Sequence, residues 1–359
     1  MRHAVALIPG LLGFSHRHGT TYFADRFIAG LRARLEALTG SSFPVVPVTT
    51  LPFGNLAARQ TLLLAELGRL DAKLESPLWH LVGHSAGGLD AALLARTRSL
   101  GHDGARSRFS SEPLDVQRLA SVTTLAAPHY GTSLARSALA MLLRRSPSWH
   151  GVRELLEAGI DAVRRDRLPE RLQFVLAALM AGQPPQLYGS PMIGDLVADL
   201  DPAVAADLTR TDNRRIDVPV HSIATLAPPP GDGPVDDSLF RALWRWTQER
   251  ATEPGVPEPP PFPEVRGHRV ISSSWEPPPI DARSNDAIVN TARQVDGTLA
   301  GLVVADHGDV IGRYRRKDLL DGTVIDPGLL TSGACFGDDE FFAVVDVVAR
   351  SIAGRESGG

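Results

Sequence analysis

Ser85 stands in the pentad Gly83-His84-Ser85-Ala86-Gly87, with an apolar run over residues 78–82 before it and a helix-forming run over 89–96 after it. Strand, sharp turn and helix in that order is the setting in which Gly-x-Ser-x-Gly presents a nucleophilic hydroxyl. The turn brings together the residues two before and two after the serine, so neither can carry a Cβ. Gly83 and Gly87 meet that condition. The serine itself is expected in a strained backbone conformation, its hydroxyl clear of the sheet and near the amino end of the helix.

A serine hydroxyl is a weak nucleophile until a base removes its proton, and the base needs an acid to orient it. In a sheet fold of this kind the partners follow in the order serine, acid, histidine. His307 lies in Val303-Val304-Ala305-Asp306-His307-Gly308-Asp309-Val310, a loop directly after an apolar strand, and is assigned as the base. His221 falls inside a strand pattern, and His268 opens a short run after a proline-rich stretch. Asp286, in Asn285-Asp286-Ala287-Ile288-Val289, precedes His307 by 21 residues and is assigned as the acid, with Asp281 as its rival. The ordinary alternative for such an aspartate is capping a helix. Acyl chemistry also needs two backbone N–H groups for the developing oxyanion. Ala86 follows the nucleophile, and Leu11 sits in Pro9-Gly10-Leu11-Leu12-Gly13-Phe14 after the first strand. The single cysteine, Cys335, lies far from the pentad and reads as a buried or surface thiol rather than a second nucleophile.

These residues need a scaffold, and hydrophobic periodicity outlines it. Strand patterns at 3–8, 43–48, 78–83 and 119–125 alternate with helix patterns at 21–38, 56–74 and 86–99. Alternation of that kind implies a mostly parallel, doubly wound α/β sheet covered on both faces. Residues 132–182 are almost wholly helical in pattern, and 132–185 is read as an inserted helical lid over the elbow. The sheet resumes at 217–226, followed by a helix at 236–250. Residues 253–264 hold six prolines in twelve, so 251–267 is expected to be an extended, semi-rigid loop. A short strand at 268–272 and a helix at 341–353 close the expected fold, one domain over 1–359, with a frayed tail from 354.

Composition narrows the function classes. A chain of 359 residues, 43% hydrophobic and 22% charged, can bury a large core without metal or disulfide staples. Net charge is −4 with no block of one sign, which argues against nucleic acid or an anionic membrane as partner. No apolar run reaches the length of a transmembrane helix. The apolar stretch at 4–8 is too short for a secretory signal, so a cytoplasmic location is expected. Oligomeric state leaves no trace in the sequence.

At these motifs the chain resembles the bacterial true lipases of the Pseudomonas and Burkholderia type, triacylglycerol lipases of the α/β-hydrolase superfamily. Gly10-Leu11-Leu12-Gly13-Phe14 resembles their oxyanion loop, and Tyr22-Phe23 with the following helix also fits. Gly83-His84-Ser85-Ala86-Gly87-Gly88 resembles their elbow, and Ala127-Pro128-His129-Tyr130-Gly131-Thr132 the turn that leads into their lid. The resemblance is dense over residues 5–140 and carried by short motifs from 217 to 312. It implies an ester hydrolase with Ser85, Asp286 and His307 as triad, Leu11 and Ala86 as oxyanion donors, and no organic cofactor. It also implies a structural calcium held by Asp309 together with Asp236 or Asp237, since carboxylates and carbonyls suit a hard cation. His84 and His129 belong to the motifs without a catalytic role, packing or hydrogen-bonding locally. Three features depart from the family: Pro9 stands where it has a histidine, neither a leader nor a disulfide is expected, and the interval from Ser85 to Asp286 is stretched.

The expectation is therefore a carboxylic ester hydrolase, lipase- or esterase-like, working on ester or lipid substrates through a serine acyl-enzyme. A polyester depolymerase, thioesterase or acyltransferase would use the same three residues. A non-catalytic binding protein on a hydrolase fold would not react at Ser85.

Overall fold

A computed structural model of the chain describes residues 2–11, 16–17, 20–51, 54–99, 118–137, 193–210, 218–231, 238–265, 270–273, 275–317, 324–328 and 330–354. The expected lid falls mostly outside these residues, of which only 132–137 belong to its span.

Short runs that are apolar on both faces become the strands of a sheet covered on both sides. β1 (His3–Ile8), β2 (Val45–Pro47), β3 (Leu78–His84), β4 (Leu119–Leu125), β5 (Val220–Leu226), β6 (Val270–Ile271) and β7 (Thr298–Val304) form one seven-stranded sheet in the order β2-β1-β3-β4-β5-β7-β6. Every pairing in it is parallel. Ile8 pairs with Gly83, His84 with Leu125, and Leu226 with Val304, so the carboxyl ends of the central strands lie along one edge. Functional loops of open α/β sheets gather at that edge.

Helices cover the two faces. Val5 and Leu7 point to one side of β1, where α1 (Asp25–Thr39) and α7 (Asp338–Ile352) pack through Phe27, Leu31, Leu35, Phe341, Val344 and Val348. Ala4, Ala6 and Ile8 point to the other, against α2 (Leu56–Lys73) and α3 (Ala86–Ser99) through Leu63, Leu67, Ala91 and Leu94. That division is the period-two alternation of a strand. Among the described residues the other α-helices are α4 (Ile193–Asp199), α5 (Pro202–Arg210) and α6 (Ser238–Arg250), and a hairpin of β8 (Arg315–Lys317) and β9 (Val324–Pro327) precedes α7.

Boundaries differ from the periodicity where local chemistry intervenes. α1 starts at Asp25 rather than 21, because Thr20 and Thr21 pair with Arg17 and His16 in a two-residue ladder. α7 starts three residues early, where Asp338, Asp339 and Glu340 complement the positive end of the helix and Glu340 Oε2 accepts the Gly337 N–H at 3.0 Å. The strand expected at 268–272 is only Val270–Ile271. Residues 256–265 run without helix or strand, as their prolines imply.

Two polar contacts brace the irregular parts against the core. Arg136 makes a two-pronged ion pair with Asp201 (3.1 and 2.9 Å), and the Thr132 N–H reaches Leu200 O at 2.9 Å. The start of the inserted segment and the chain returning from it are thereby held side by side. Arg136 and Arg293 also donate to the carbonyls of Gly255 and Pro257, fastening the proline-rich stretch to the same place. Among the described residues no helix is long and apolar enough to cross a membrane.

Candidate active site

Ser85 has φ +55, left-handed backbone that a serine adopts at a cost of roughly 1–3 kcal/mol. Its N–H is pinned to Leu125 O, 2.9 Å away at the end of β4. The glycines around it leave no room for side chains. A Cβ on Gly83 would stand 2.3 Å from Gly87 O, and one on Gly87 would stand 2.4 Å from Ile8 O. Gly88, which the pentad alone does not single out, is as constrained: its Cβ would lie 2.5 Å from the Cβ of Ala127. The elbow thus packs against β1 on one side and the turn after β4 on the other.

His307 and Asp286 come together. His307 follows β7, and its Nδ1 lies 2.8 Å from Asp286 Oδ2, with the His307 N–H bound to Asp286 O at 3.2 Å. A carboxylate only accepts, so Nδ1 carries the proton and a neutral ring keeps its lone pair on Nε2. Asp286 is wholly buried and divides its two oxygens between two tasks. Oδ1 accepts the N–H groups of Ile288 (2.9 Å) and Val289 (2.8 Å), which is the local capping such an aspartate ordinarily performs. Oδ2 takes His307, the Thr225 hydroxyl at 2.5 Å and Gln294 Nε2 at 3.2 Å. Gln294 also accepts the Thr225 N–H and donates to Val289 O, locking β5 to the acid loop.

The rivals lie elsewhere. Asp281 is exposed and bonds to the N–H groups of Arg283 and Ser284 in its own turn. His221 is half-buried within β5, and His268 lies outside the described residues. Cys335 is exposed, at φ +53.

The loop after β1 is held against the elbow. Gly10 sits so close to the elbow that a Cβ on it would stand 2.7 Å from the Ser85 Cβ. Arg59, on α2 and fully buried, donates to Pro9 O (3.0 Å), Gly10 O (3.3 Å) and Leu51 O (2.5 Å), and pairs with Asp90 on α3. In a trans peptide the carbonyl and the next N–H point opposite ways. With Gly10 O drawn to Arg59, the Leu11 N–H is turned away from it. Leu11 itself is 39% exposed, an apolar side chain at the surface. Ala86 is buried at the first position of α3, where its N–H belongs to the unsatisfied donors of a helix start.

The calcium expectation does not assemble among the described residues. Asp309 is buried in the turn after His307, where its Oδ2 accepts the Asp306 N–H at 2.9 Å. Burial, followed by the neighbouring Asp306 charge, pushes its carboxyl well above the usual range. Asp236 and Asp237 lie outside the described residues, and within those residues no group of three or more His, Cys, Asp or Glu is placed to hold a metal.

No protein-family model and no curated protein matches the sequence. Solved structures do match in fold. A metagenomic carboxyl esterase aligns with TM-score 0.51 at 17% identity, over 98% of this chain and 76% of that one. EstA from Clostridium botulinum aligns with TM-score 0.49 at 15% identity over 99% and 88% of the two chains. The Staphylococcus hyicus lipase does so with TM-score 0.49 at 12% identity over 98% and 94%. With a parallel sheet of seven strands, helices on both faces and a strand–turn–helix elbow, the chain has the α/β-hydrolase fold.

Proposed function

We propose that this chain is a carboxylic ester hydrolase of the lipase and esterase kind, acting through an acyl-enzyme on Ser85. The observation that carries the proposal is the 2.8 Å contact between His307 Nδ1 and Asp286 Oδ2, at the strand edge where the elbow presents a serine in left-handed backbone. The likeness in fold to a carboxyl esterase supports it. So does the sequence resemblance to the Pseudomonas and Burkholderia type of true lipase at residues 10–14, 83–88 and 127–132.

In this reading His307 Nε2 takes the proton of the Ser85 hydroxyl as its oxygen adds to the ester carbonyl. Asp286 holds the imidazole and balances the charge it acquires. The oxyanion rests on the N–H groups of Leu11 and Ala86. His307 then gives its proton to the leaving alkoxide, and a water, deprotonated by the same nitrogen, releases the acid and restores the serine.

Hydrolysis of p-nitrophenyl esters from acetate to palmitate, by wild type and Ser85→Ala, tests the proposal. Turnover that vanishes in the variant, with fluorophosphonate labelling of Ser85 in the wild type, is the expected result. Wild-type rates in the variant would overturn it. A product ester or thioester formed from an added alcohol or thiol, in preference to the free acid, would make the enzyme an acyltransferase.

A further inference from the structure

The pentad histidine, His84, touches two parts of the site at once. Its Nε2 lies 2.8 Å from the backbone carbonyl of His307, and its Nδ1 lies 2.8 Å from the Tyr22 hydroxyl. A carbonyl only accepts, so Nε2 bears the hydrogen. Burial and the nearby His307 hold the His84 pKa well below its ordinary value, so the ring is neutral and Nδ1 is an acceptor. Tyr22 must therefore donate its hydroxyl hydrogen to Nδ1. Its oxygen in turn accepts the backbone N–H of Gly10, and it stands 2.7 Å from where a Gly10 Cβ would be. Burial raises the phenol's pKa, which keeps this donor protonated.

Every polar atom in this chain of contacts has one direction. Gly10 N–H gives to Tyr22, Tyr22 gives to His84, and His84 gives to His307 O. Its ends are the loop that carries the oxyanion donor Leu11 and the loop that carries the base. The His84 and His307 rings also pack at 4.7 Å between centroids.

We propose that Tyr22 and His84 are positioning residues that form one bridge, setting the oxyanion loop and the base loop at a fixed separation across Ser85. The proposal rests on the ester-hydrolase reading for its kinetic consequence. Neither residue touches substrate in it. Tyr22 orients the peptide entering Gly10, opposite the two carbonyls that Arg59 holds. His84 fixes the backbone of His307, whose side chain is held separately by Asp286. A misplacement of about 1 Å in either loop lowers the rate of the chemical step far more than substrate affinity.

The test uses Tyr22→Phe, His84→Asn and their combination, assayed with p-nitrophenyl butyrate alongside thermal melts. His84→Asn keeps an acceptor for Tyr22 and loses the donor to His307, whereas His84→Gln keeps that donor. Each of Tyr22→Phe and His84→Asn is expected to lower kcat about tenfold with KM within about twofold. The combined variant should lose no more than the worse single variant, because cutting one bridge twice costs what cutting it once does. His84→Gln, which keeps the donor to His307 but loses the acceptor for Tyr22, should lose about as much as Tyr22→Phe. A kcat within about twofold of wild type for Tyr22→Phe, or losses that multiply in the combined variant, would overturn the bridge. Tyr22→Phe removes a single oxygen, and its result decides the matter if the His84 variants do not fold. If wild type neither hydrolyses esters nor takes up a fluorophosphonate, the ester-hydrolase reading fails instead. The bridge is then read by nitrogen-15 NMR of His84, where a neutral ring protonated on Nε2 supports it and one protonated on Nδ1 sinks it.

Discussion

Arg59 and Asp90 form an ion pair that never meets solvent: Nε and Nη2 of the guanidinium lie 2.9 and 2.8 Å from Asp90 Oδ2, both side chains fully buried. Asp90 is one turn into the helix that Ser85 begins, and Arg59 uses its remaining hydrogens on the carbonyls of Pro9, Gly10 and Leu51. The pair thus ties the loop after β1, which the proposal assigns to the oxyanion, to the helix that follows Ser85. Burial raises the Asp90 pKa, with Arg59 acting against that rise, and Asp90 Oδ1 has no partner among the described residues. Arg59→Met should therefore destabilise the fold by about 3–5 kcal/mol, the cost of leaving a buried charge unpaired. Adding Asp90→Leu should restore much of that loss in denaturant melts. It should not restore kcat, because the Pro9 and Gly10 carbonyls stay unheld, and a missing oxyanion donor costs about 100-fold or more. A double variant with wild-type kcat would mean that Arg59 serves stability alone.

Asp286→Asn separates the two duties of that carboxyl. The amide oxygen can still accept from Ile288 and Val289, so the turn should keep its shape, while the amide nitrogen meets the Gln294 Nε2 donor and should lower the melting temperature. The amide nitrogen facing His307 donates, which forces the imidazole proton to Nε2 and removes the base. By analogy with other serine triads, kcat should fall about 10⁴-fold. Thr225→Val leaves the aspartate in place but takes one donor from Oδ2, and a loss nearer tenfold is expected. Steady-state kinetics on one short-chain ester checks both, and equal losses in the two variants would contradict the division of roles.

Three glycines should rank by what their missing side chains would strike. Gly87→Ala drives a Cβ into backbone at 2.4 Å, which cannot move without displacing β1. Gly88→Ala meets the Ala127 Cβ at 2.5 Å and should cost about 1–3 kcal/mol, with Ala127→Gly recovering part of the loss. Gly40, at φ +71 but in open space, should cost about 1 kcal/mol when replaced by alanine. Urea melts of the variants read the order directly, and a Gly88→Ala melt matching wild type would contradict the packing against Ala127.

What could be read from the chain in advance follows the range of each signal. The elbow was legible because its chemistry is local: two glycines, a serine, and strand and helix periodicities within a dozen residues on either side. Asp286 and His307 were legible more weakly, as polar residues at the ends of apolar runs, and the sheet brings those ends to one edge. Arg59 and Gln294 carry no such mark, and Tyr22 is marked only by the family resemblance. Arg59 sits among helix formers on α2, and only the tertiary fold turns it toward Pro9 and Gly10. The sequence leads one to expect His84 to pack or hydrogen-bond locally; it does hydrogen-bond, to partners 62 residues before it and 223 after. At Asp309 the motif position points to a metal; its Oδ2 accepts the Asp306 N–H, and the carboxylates expected to join it, Asp236 and Asp237, lie outside the described residues.

Two buried histidines give the fold a pH limit. Burial, helped by the nearby His3, lowers the His80 pKa to about 4. Burial also lowers that of His129 to about 4, against the pull of Asp296. His80 spends Nδ1 on Ser121 Oγ at 2.7 Å and Nε2 on His3 at 2.9 Å, and His129 spends Nε2 on Thr124 Oγ1 at 3.0 Å. In the unfolded chain both groups titrate near 6.5, so as pH falls below that value the unfolded state takes up protons that the folded state refuses. Their contribution is complete above pH ~6.5, declines as pH drops, and is exhausted near pH ~4, at roughly 3 kcal/mol for each group. Melting temperature should accordingly fall between those limits. His80→Gln and His129→Gln lower stability at neutral pH by breaking these contacts, but each should flatten the dependence over that interval. If the combined variant keeps the wild-type slope, other groups set the acid limit and these two rings are not its cause.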